Sequence, residues 1–475
     1  MQQRRYVATY RQKQMEQIAG WVTANESGAI VGLAGAGKSN FLRFLCHYPQ
    51  ALHQYLEPTE QKIILVPADL NNMPTYDLST FYRVILRAFF EIQERFPIDL
   101  QPCIAEFYRH NQREQDPFLP QSALRELLFL FRAKQVKVIL VMDRFDHFCE
   151  SATPQMFDTL RGLRDDFKEN LIYITGLRYE IAYLPEANHL GELHEVLDRN
   201  VCWIGAMAGE DAERVIREET VTGIKSPTNT EQSLLLRLTG GYPALLKATC
   251  HWWRTTPRKP AMRQWSVPLL AEPAITTRLR EIWQGLTQEE QWVLSELQKL
   301  QPATTNRTPD KASTKAAAIR QAYRKLQADH HTPLTRLEAK GFCYPIQSQW
   351  RINGLLLNEF IAEIKDRSRG RVWWNDATQK FYQGATVLEL APQQQVILDY
   401  FLQHPRHRLT KTDILIKVWP DEWEEVNEAS LYQLIRKLRQ EIEPNPAQPC
   451  YITNWRGTPE GGYQFFPEGR GEAPA

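Results

Sequence analysis

Gly32-Leu-Ala-Gly-Ala-Gly-Lys-Ser39 decides the reading of the first half of this chain. The stretch has the form GxxxxGK[ST]. It follows the apolar run AIVGL (residues 29–33) and precedes the amphipathic run NFLRFLCHY (residues 40–48). A strand, a glycine-rich loop and a helix in that order make a phosphate cradle. Gly32, Gly35 and Gly37 let successive backbone N–H groups curl around an anion, and the helix N-terminus adds its positive end. Lys38 is placed to reach the β- and γ-phosphates of ATP, with Asn40 in the first helical turn beside it. The Ser39 hydroxyl is placed to ligate Mg²⁺.

Outward from this loop, short apolar runs alternate with longer amphipathic stretches. After AIVGL come KIILVPADL (62–70), VKVILVMD (136–143), LIYITG (171–176) and VCWIG (201–205). Helix candidates such as FYRVILRAFFEI (81–92) and ALRELLFLFRA (123–133) separate them. Nearly continuous Val/Ile/Leu strands alternating with helices predict a parallel sheet covered on both faces. Asp143 ends the third run, where an acid can hold Mg²⁺ beside the cradle. The next position, where many such ATPases carry a water-activating Glu, holds Arg144, so hydrolysis is expected to be slow at most. Asp146 is open to two readings, a general base one turn on or a helix N-cap. Thr175 and Arg178 follow the fourth strand. The Thr can face the γ-phosphate, and the Arg can sense it or pair with a surface acid. In TGGYPALLKAT (239–249), Pro243 stands at an ordinary helix-opening position.

Composition narrows the class. The 475 residues are 43% hydrophobic and 24% charged, enough apolar material for several cores, so a mostly disordered chain is excluded. Lys+Arg 57 against Asp+Glu 56 leaves a net +1, so no global field draws in nucleic acid or membrane. Such binding must come from a local cluster. MQQRRYVATYRQKQ lacks the apolar core of a signal peptide, and no run of about 18 apolar residues is present to span a membrane. Seven scattered cysteines without a CxxC pair fit neither a disulfide framework nor a zinc site, and point to a reducing cytoplasm. His330 and His331 read as a solvated pair.

The chain divides as residues 1–275, an ATPase with a helical lid; 276–365, a small unit with a mobile loop at 302–315; and a linker at 366–371. A third unit at 372–466 and a loose tail at 467–475 complete it. No repeat of 20–50 residues is visible.

The ordered set of P-loop, DRFD after a buried strand, TGLR and GGYP resembles the STAND class of signal-transducing P-loop NTPases, AAA-like in its core, over roughly residues 1–365. That resemblance implies ATP and ADP as ligands with Mg²⁺, Tyr242 and Pro243 as adenine contacts, and Arg178 as a γ-phosphate sensor. It also implies a winged helix at 276–365 that clamps the ADP form shut. Members act as switches that open on ATP and often oligomerise. They usually carry a repeat array as sensor, which this chain lacks.

The third unit carries a second pattern. In NEASLYQLIRKLRQEIE (427–443), Leu431, Leu434, Ile435, Leu438 and Ile442 recur at helical spacing, while Ser430, Gln433, Arg436 and Lys437 face the other way with Arg439 flanking. A preceding helix, LTKTDILIKVW (409–419), and a following hairpin with Arg456 near its tip give the layout of a helix-turn-helix with a wing. An ordinary amphipathic helix would show the same face. Charge favours that plainer reading, since residues 371–475 hold 11 Lys/Arg against 14 Asp/Glu, a net −3. Residues 372–466 as a whole resemble the OmpR/PhoB-type winged helix of bacterial response regulators. The resemblance places Ser430, Gln433, Arg436, Lys437 and Arg439 on a DNA-reading helix and Arg456 in the wing, lengthened here by Thr458–Gly461. It also makes the acidic run 421–428 a candidate contact for RNA polymerase.

The expected fold is therefore an α/β P-loop NTPase, its parallel sheet helix-covered on both faces, followed by two small α+β winged-helix domains. The expected function is a cytoplasmic, ATP-dependent switch that binds double-stranded DNA and forms nucleotide-dependent homo-oligomers. A mobile-element or antiviral-defence ATPase that recruits a separate effector is the competing expectation. No membrane partner is expected.

Overall fold

The computed structural model describes residues 9–58, 61–184, 187–220, 226–301, 312–346, 349–367, 370–375, 378–384, 386–420, 423, 426, 428–444, 446–447, 449–457 and 460–469. The chain packs as two units, Met1–Gly285 with Arg336–Phe342, and Leu286–Thr335 with Cys343–Ala475.

The first unit is built on five parallel strands, β1 (Gly28–Val31), β2 (Lys62–Pro67), β3 (Val136–Met142), β4 (Leu171–Leu177) and β5 (Val201–Trp203). Their order is β2-β3-β4-β1-β5, so β4 lies between the strand that leads into the glycine loop and the strand that ends in Asp143. Every residue of β1, β3 and β4 is buried, which is why these runs read as unbroken apolar sequence. One face packs Val138, Leu140 and Tyr173 against the helices Leu78–Glu91, Phe118–Ala133 and Pro154–Asp166. Fully burying each such aliphatic or aromatic side chain is worth about 1.5–3 kcal/mol. Helices from Gly209 to Gln284 complete the unit.

The second unit opens with helix Gln288–Leu300, started by a reciprocal capping box between Thr287 and Glu290. Helices Ala312–Asp329 and Leu355–Arg367 flank the antiparallel pair β6 (Cys343–Ile346) and β7 (Gln349–Ile352). Of the loop expected at 302–315, residues 302–311 lie outside the described residues, and 312–315 begin a helix instead.

Within the same unit, residues 372–465 have their own core. It comprises the sheet β8 (Val372–Asn375), β9 (Lys380–Gln383) and β10 (Thr386–Val387), three helices, and a second sheet. The helices are Pro392–Gln403, Lys411–Val418 and Glu428–Ile442, and the second sheet pairs β11 (Arg408–Thr410) and β12 (Ile452–Trp455) on either side of β13 (Gly462–Phe465). The junction from last helix to hairpin is held by the buried Glu443, whose carboxylate accepts from the backbone N–H groups of Cys450, Tyr451 and Ile452 at 2.6–3.1 Å. Among the described residues no helix is long and apolar enough to cross a membrane, and no group of three His, Cys, Asp or Glu side chains is placed to hold a metal ion.

Candidate functional site

The glycine loop adopts the conformation its sequence predicts. Gly35 and Gly37 have φ of +79° and +89°, in the left-handed region that side-chain-bearing residues avoid. A Cβ on Gly35 would meet Ala244 Cβ at 2.5 Å, so the loop has no room for one. Helix Lys38–His47 starts directly after the turn, with Ser39 and Asn40 half-buried in its first turn. Lys38 is 7% exposed, and its Nζ lies 3.6 Å from Asp143 Oδ1. Burial lowers its pKa, more than the pull of Asp143 and Asp146 raises it, so this cation is short of negative charge.

Around Asp143, three buried polar atoms have no hydrogen-bond partner among the described residues: Asn71 Oδ1, Asp146 Oδ1 and Thr175 Oγ1. They belong to segments at the C-terminal ends of β2, β3 and β4. Each orphan costs on the order of 1–3 kcal/mol unless something supplies its partner. A cradle that excludes Cβ atoms, an under-compensated lysine and orphaned oxygens beside an aspartate fit a magnesium–nucleoside triphosphate. Lys38 and the loop N–H groups would hold its phosphates, with Ser39 and Asp143 toward the cation.

Asp146 is not a helix cap. It is the second residue of helix Phe145–Cys149, and no backbone N–H donates to it there. Its Oδ2 lies 3.8 Å from Arg178 Nε, a loose pair with an Arg that directly follows β4. Arg144 is exposed, with φ 53°, and contributes only its backbone N–H to Asp143 Oδ1 at 2.9 Å.

Tyr242 and Pro243 reach the glycine loop from behind. The buried Tyr242 hydroxyl donates to the Ala34 carbonyl at 2.8 Å, Ala244 N donates to Gly35 O at 3.1 Å, and a Cβ on Gly37 would lie 3.6 Å from Pro243 Cγ. The Tyr242 ring stacks on Phe342 at 5.3 Å. Phe342 ends the segment Arg336–Phe342, which is fitted closely into the first unit. Gly205 and Gly341 permit that fit. A Cβ on Gly205 would meet Lys340 O at 2.0 Å, and one on Gly341 would meet Ala206 Cβ at 2.5 Å. Lys340 Nζ sits 4.7 Å over the Trp203 ring, and Arg336 pairs with Glu180 at 3.1 Å and donates to the Tyr183 hydroxyl.

Two residues of this site carry no motif signal in the sequence. Arg11, 4% exposed and with φ 55°, donates through Nη2 to Ala36 O at 3.1 Å and Gly205 O at 2.9 Å, while its backbone N donates to Asp211 at 3.0 Å. It ties the glycine loop to the end of β5 and to helix Gly209–Thr220. Asn71 Nδ2 donates to the Asp143 carbonyl at 2.9 Å.

On the C-terminal domain, Ser430, Gln433, Arg436 and Lys437 are exposed on helix Glu428–Ile442, while Leu431, Leu434, Ile435, Leu438 and Ile442 are buried. Arg456 is exposed beyond β12. Arg439 differs. Its guanidinium donates to Ile452 O at 2.6 and 3.1 Å and to Asn454 Oδ1 at 2.9 Å, and so is spent on bracing the hairpin. At the helix start, Lys411 Nζ pairs with Glu428 at 2.7 Å. Thr458 and the acidic residues 421, 422, 424 and 425 lie outside the described residues.

A glycine-loop phosphate cradle on a five-stranded parallel sheet defines a P-loop NTPase fold, joined in one chain to a winged helix. Residues 385–465 match the family described as "Transcriptional regulatory protein, C terminal", an OmpR/PhoB-type domain. Transcriptional regulatory protein YvrH of Bacillus subtilis (strain 168) is 36% identical over 90 residues, 19% of this chain and 36% of that protein. Alkaline phosphatase synthesis transcriptional regulatory protein SphR of Synechococcus elongatus is 33% identical over 71 residues, 15% of this chain and 27% of that protein. The chain thus spans about a third of the length of these relatives. Among solved structures, the Walker-type ATPase of Pyrococcus abyssi aligns at 12% identity and TM-score 0.42, over 74% of this chain and 95% of that one. The ORC2 protein of Aeropyrum pernix aligns at 13% identity and TM-score 0.36, over 74% and 93%.

Proposed function

We propose that this chain is a nucleotide-dependent switch of STAND type that binds specific double-stranded DNA and regulates transcription in the bacterial cytoplasm. The observation that carries the reading is the presence, in one chain, of a built phosphate cradle and a response-regulator-type winged helix with Gln433, Arg436 and Lys437 exposed. The two curated relatives named above are transcriptional regulators, which supports DNA as the partner.

Bound ATP with Mg²⁺ supplies a γ-phosphate whose presence or loss distinguishes two states of the cradle. Lys38 and the loop amides bind the phosphates, Ser39 and Asp143 orient the cation, and Thr175 and Arg178 meet the γ-position. Tyr242 and Pro243 brace the loop on the base side, where Phe342 stacks. The stacking of Phe342 and the pairing of Arg336 with Glu180 support an ADP form held closed by the segment Arg336–Phe342. ATP favours a form in which copies of the chain assemble on DNA, with RNA polymerase as the downstream partner.

The test is retention of genomic DNA fragments by the full-length protein in ATP and in ADP, read by sequencing. Recovery of a few discrete sites in ATP, lost in ADP and in Arg436→Ala, is the expected result. Equal recovery in both nucleotides removes the switch and leaves the reader. No enrichment in either removes both.

A further inference from the structure

Three elements of the C-terminal domain meet at Lys411, the first residue of helix Lys411–Val418. Its backbone N donates to Gly461 O at 3.4 Å, at the foot of the wing, and Thr412 Oγ1 beside it donates to Glu460 at 3.2 Å. Its ammonium reaches helix Glu428–Ile442, where Nζ donates to Glu428 Oε2 at 2.7 Å and lies 5.2 Å from the centre of the Tyr432 ring. The Tyr432 hydroxyl donates to the same oxygen at 3.1 Å. Two donors thus hold the Glu428 carboxylate, although its side chain is 55% exposed. The hydrogen bond from Lys411 keeps the Glu428 carboxyl below its ordinary range, and the same bond pushes the Lys411 pKa up. Glu428, Tyr432 and Arg436 recur every four residues, so the pair stands in one row with an exposed cation on which the DNA reading relies. An acid in a first helical turn answers the helix dipole wherever it points. Here it is fixed on a cation of the neighbouring helix, where that helix, the reading helix and the wing converge. It brings to that cation the charge and acceptor oxygens of a DNA phosphate.

We propose that Glu428 is an internal stand-in for a DNA phosphate: it occupies Lys411, removes one cation from the surface that meets the duplex, and so limits how tightly a single copy of the reader holds any DNA. This rests on the DNA reading of the domain above. The sequence-independent part of DNA affinity comes from cations that neutralise phosphates and release their counterions. Residues 371–475 carry a net −3, so silencing Lys411 draws on a short supply. An ammonium has three donors, but the carboxylate already beside it repels a phosphate that would share them. Weak holding by one copy makes retention on DNA depend on assembly of several, the step that the nucleotide is proposed to control. Glu428 reads no base, so sequence preference stays with Gln433, Arg436 and Lys437.

The experiment measures the affinity of the full-length protein, with ATP present, for a mixed-sequence DNA duplex from about 50 to 200 mM salt. The slope of log affinity against log salt counts the phosphates neutralised, at about 0.9 for each. Glu428→Gln keeps the shape of the side chain and an acceptor for Tyr432. It is expected to bind about fivefold tighter at the low-salt end and to steepen the slope by about 0.9. Across that salt range it should then lose about three- to fourfold more affinity than the wild type. Lys411→Gln should leave the wild-type slope unchanged, and the double variant should return to it. Glu428→Ala should steepen the slope as Glu428→Gln does, and guards against a peculiarity of the amide. An exposed pair contributes little to folding, so all variants should melt close to wild type. Genomic fragments recovered by Glu428→Gln should carry the same sites as those recovered by wild type. A Lys411→Gln slope shallower than wild type shows that Lys411 meets phosphate despite its partner, and an unchanged Glu428→Gln slope shows that freeing it gains no phosphate. Either overturns the proposal. So does recovery of different sites by Glu428→Gln, which makes Glu428 a base reader. Wild-type protein that binds neither the duplex nor genomic fragments overturns the DNA reading beneath it.

Discussion

Burial takes Lys38 below its ordinary pKa, and the two nearby carboxylates only partly restore it. Phosphates arriving at the cradle add the missing negative charge and raise that pKa again. The loaded site therefore holds the lysine proton more tightly than the empty one. Below the empty-site pKa both forms are protonated and affinity is complete. As pH rises through the window between the two values, binding must take up a proton, and affinity falls. Titrating ADP affinity against pH should show a decline on the alkaline side that is absent in Lys38→Ala, itself a much weaker binder. A flat profile in the wild type would show that Lys38 is not the phosphate ligand. Arg11 and Asn71 belong to the same scale and mark what the sequence could not reveal. ATYRQKQ and DLNNM hold no spacing or periodicity that singles out one side chain. Their roles arise only when β5, the loop and the end of β3 are brought together.

At the level of elements, the strands were legible because a parallel sheet covered on both faces demands unbroken apolar runs, and all five runs became strands. Their order was not legible, because register and crossover depend on pairings far apart in sequence. Helix Glu428–Ile442 was equally plain from its buried leucines, but its polar side was not uniform. Arg436 and Arg439 sit three residues apart, yet one is exposed while the other is folded onto β12. Their substitutions should separate accordingly. Under the DNA-binding reading, Arg436→Ala should cost about 1–3 kcal/mol of specific affinity and relax the preferred sequence, with thermal stability unchanged. Arg439→Ala should strip the Ile452 carbonyl of its donor and destabilise the domain by about 1–3 kcal/mol. Melting curves alongside binding to matched and scrambled sites distinguish the two. A stable Arg439→Ala protein with altered base preference would return Arg439 to the DNA face.

For the whole molecule, a switch has to be strong enough to matter. Driving an equilibrium from 1:99 to 99:1 takes about 5.5 kcal/mol of discrimination between states. Arg178 is 62% exposed and 3.8 Å from its partner acid, so one such contact supplies only a fraction of that. Under the proposed switch, assembly of several copies on DNA would supply the remainder, which predicts steep concentration dependence for ATP-form binding.

The close fit at Gly205 and Gly341 also has a topological consequence. The first unit is not one continuous length of chain: its final piece, Arg336–Phe342, arrives only after some fifty residues of the second unit have been laid down. During synthesis the first 285 residues therefore emerge with a slot beside Trp203, Gly205 and Tyr242 that waits for its insert. A fragment stopped at Gly285 should consequently melt lower than the same unit within the full chain, and a peptide carrying residues 336–342 should raise its melting point. If the fragment is as stable as the unit it came from, the insert is decoration. If not, the first unit reaches its full stability only once the ribosome has delivered residue 342.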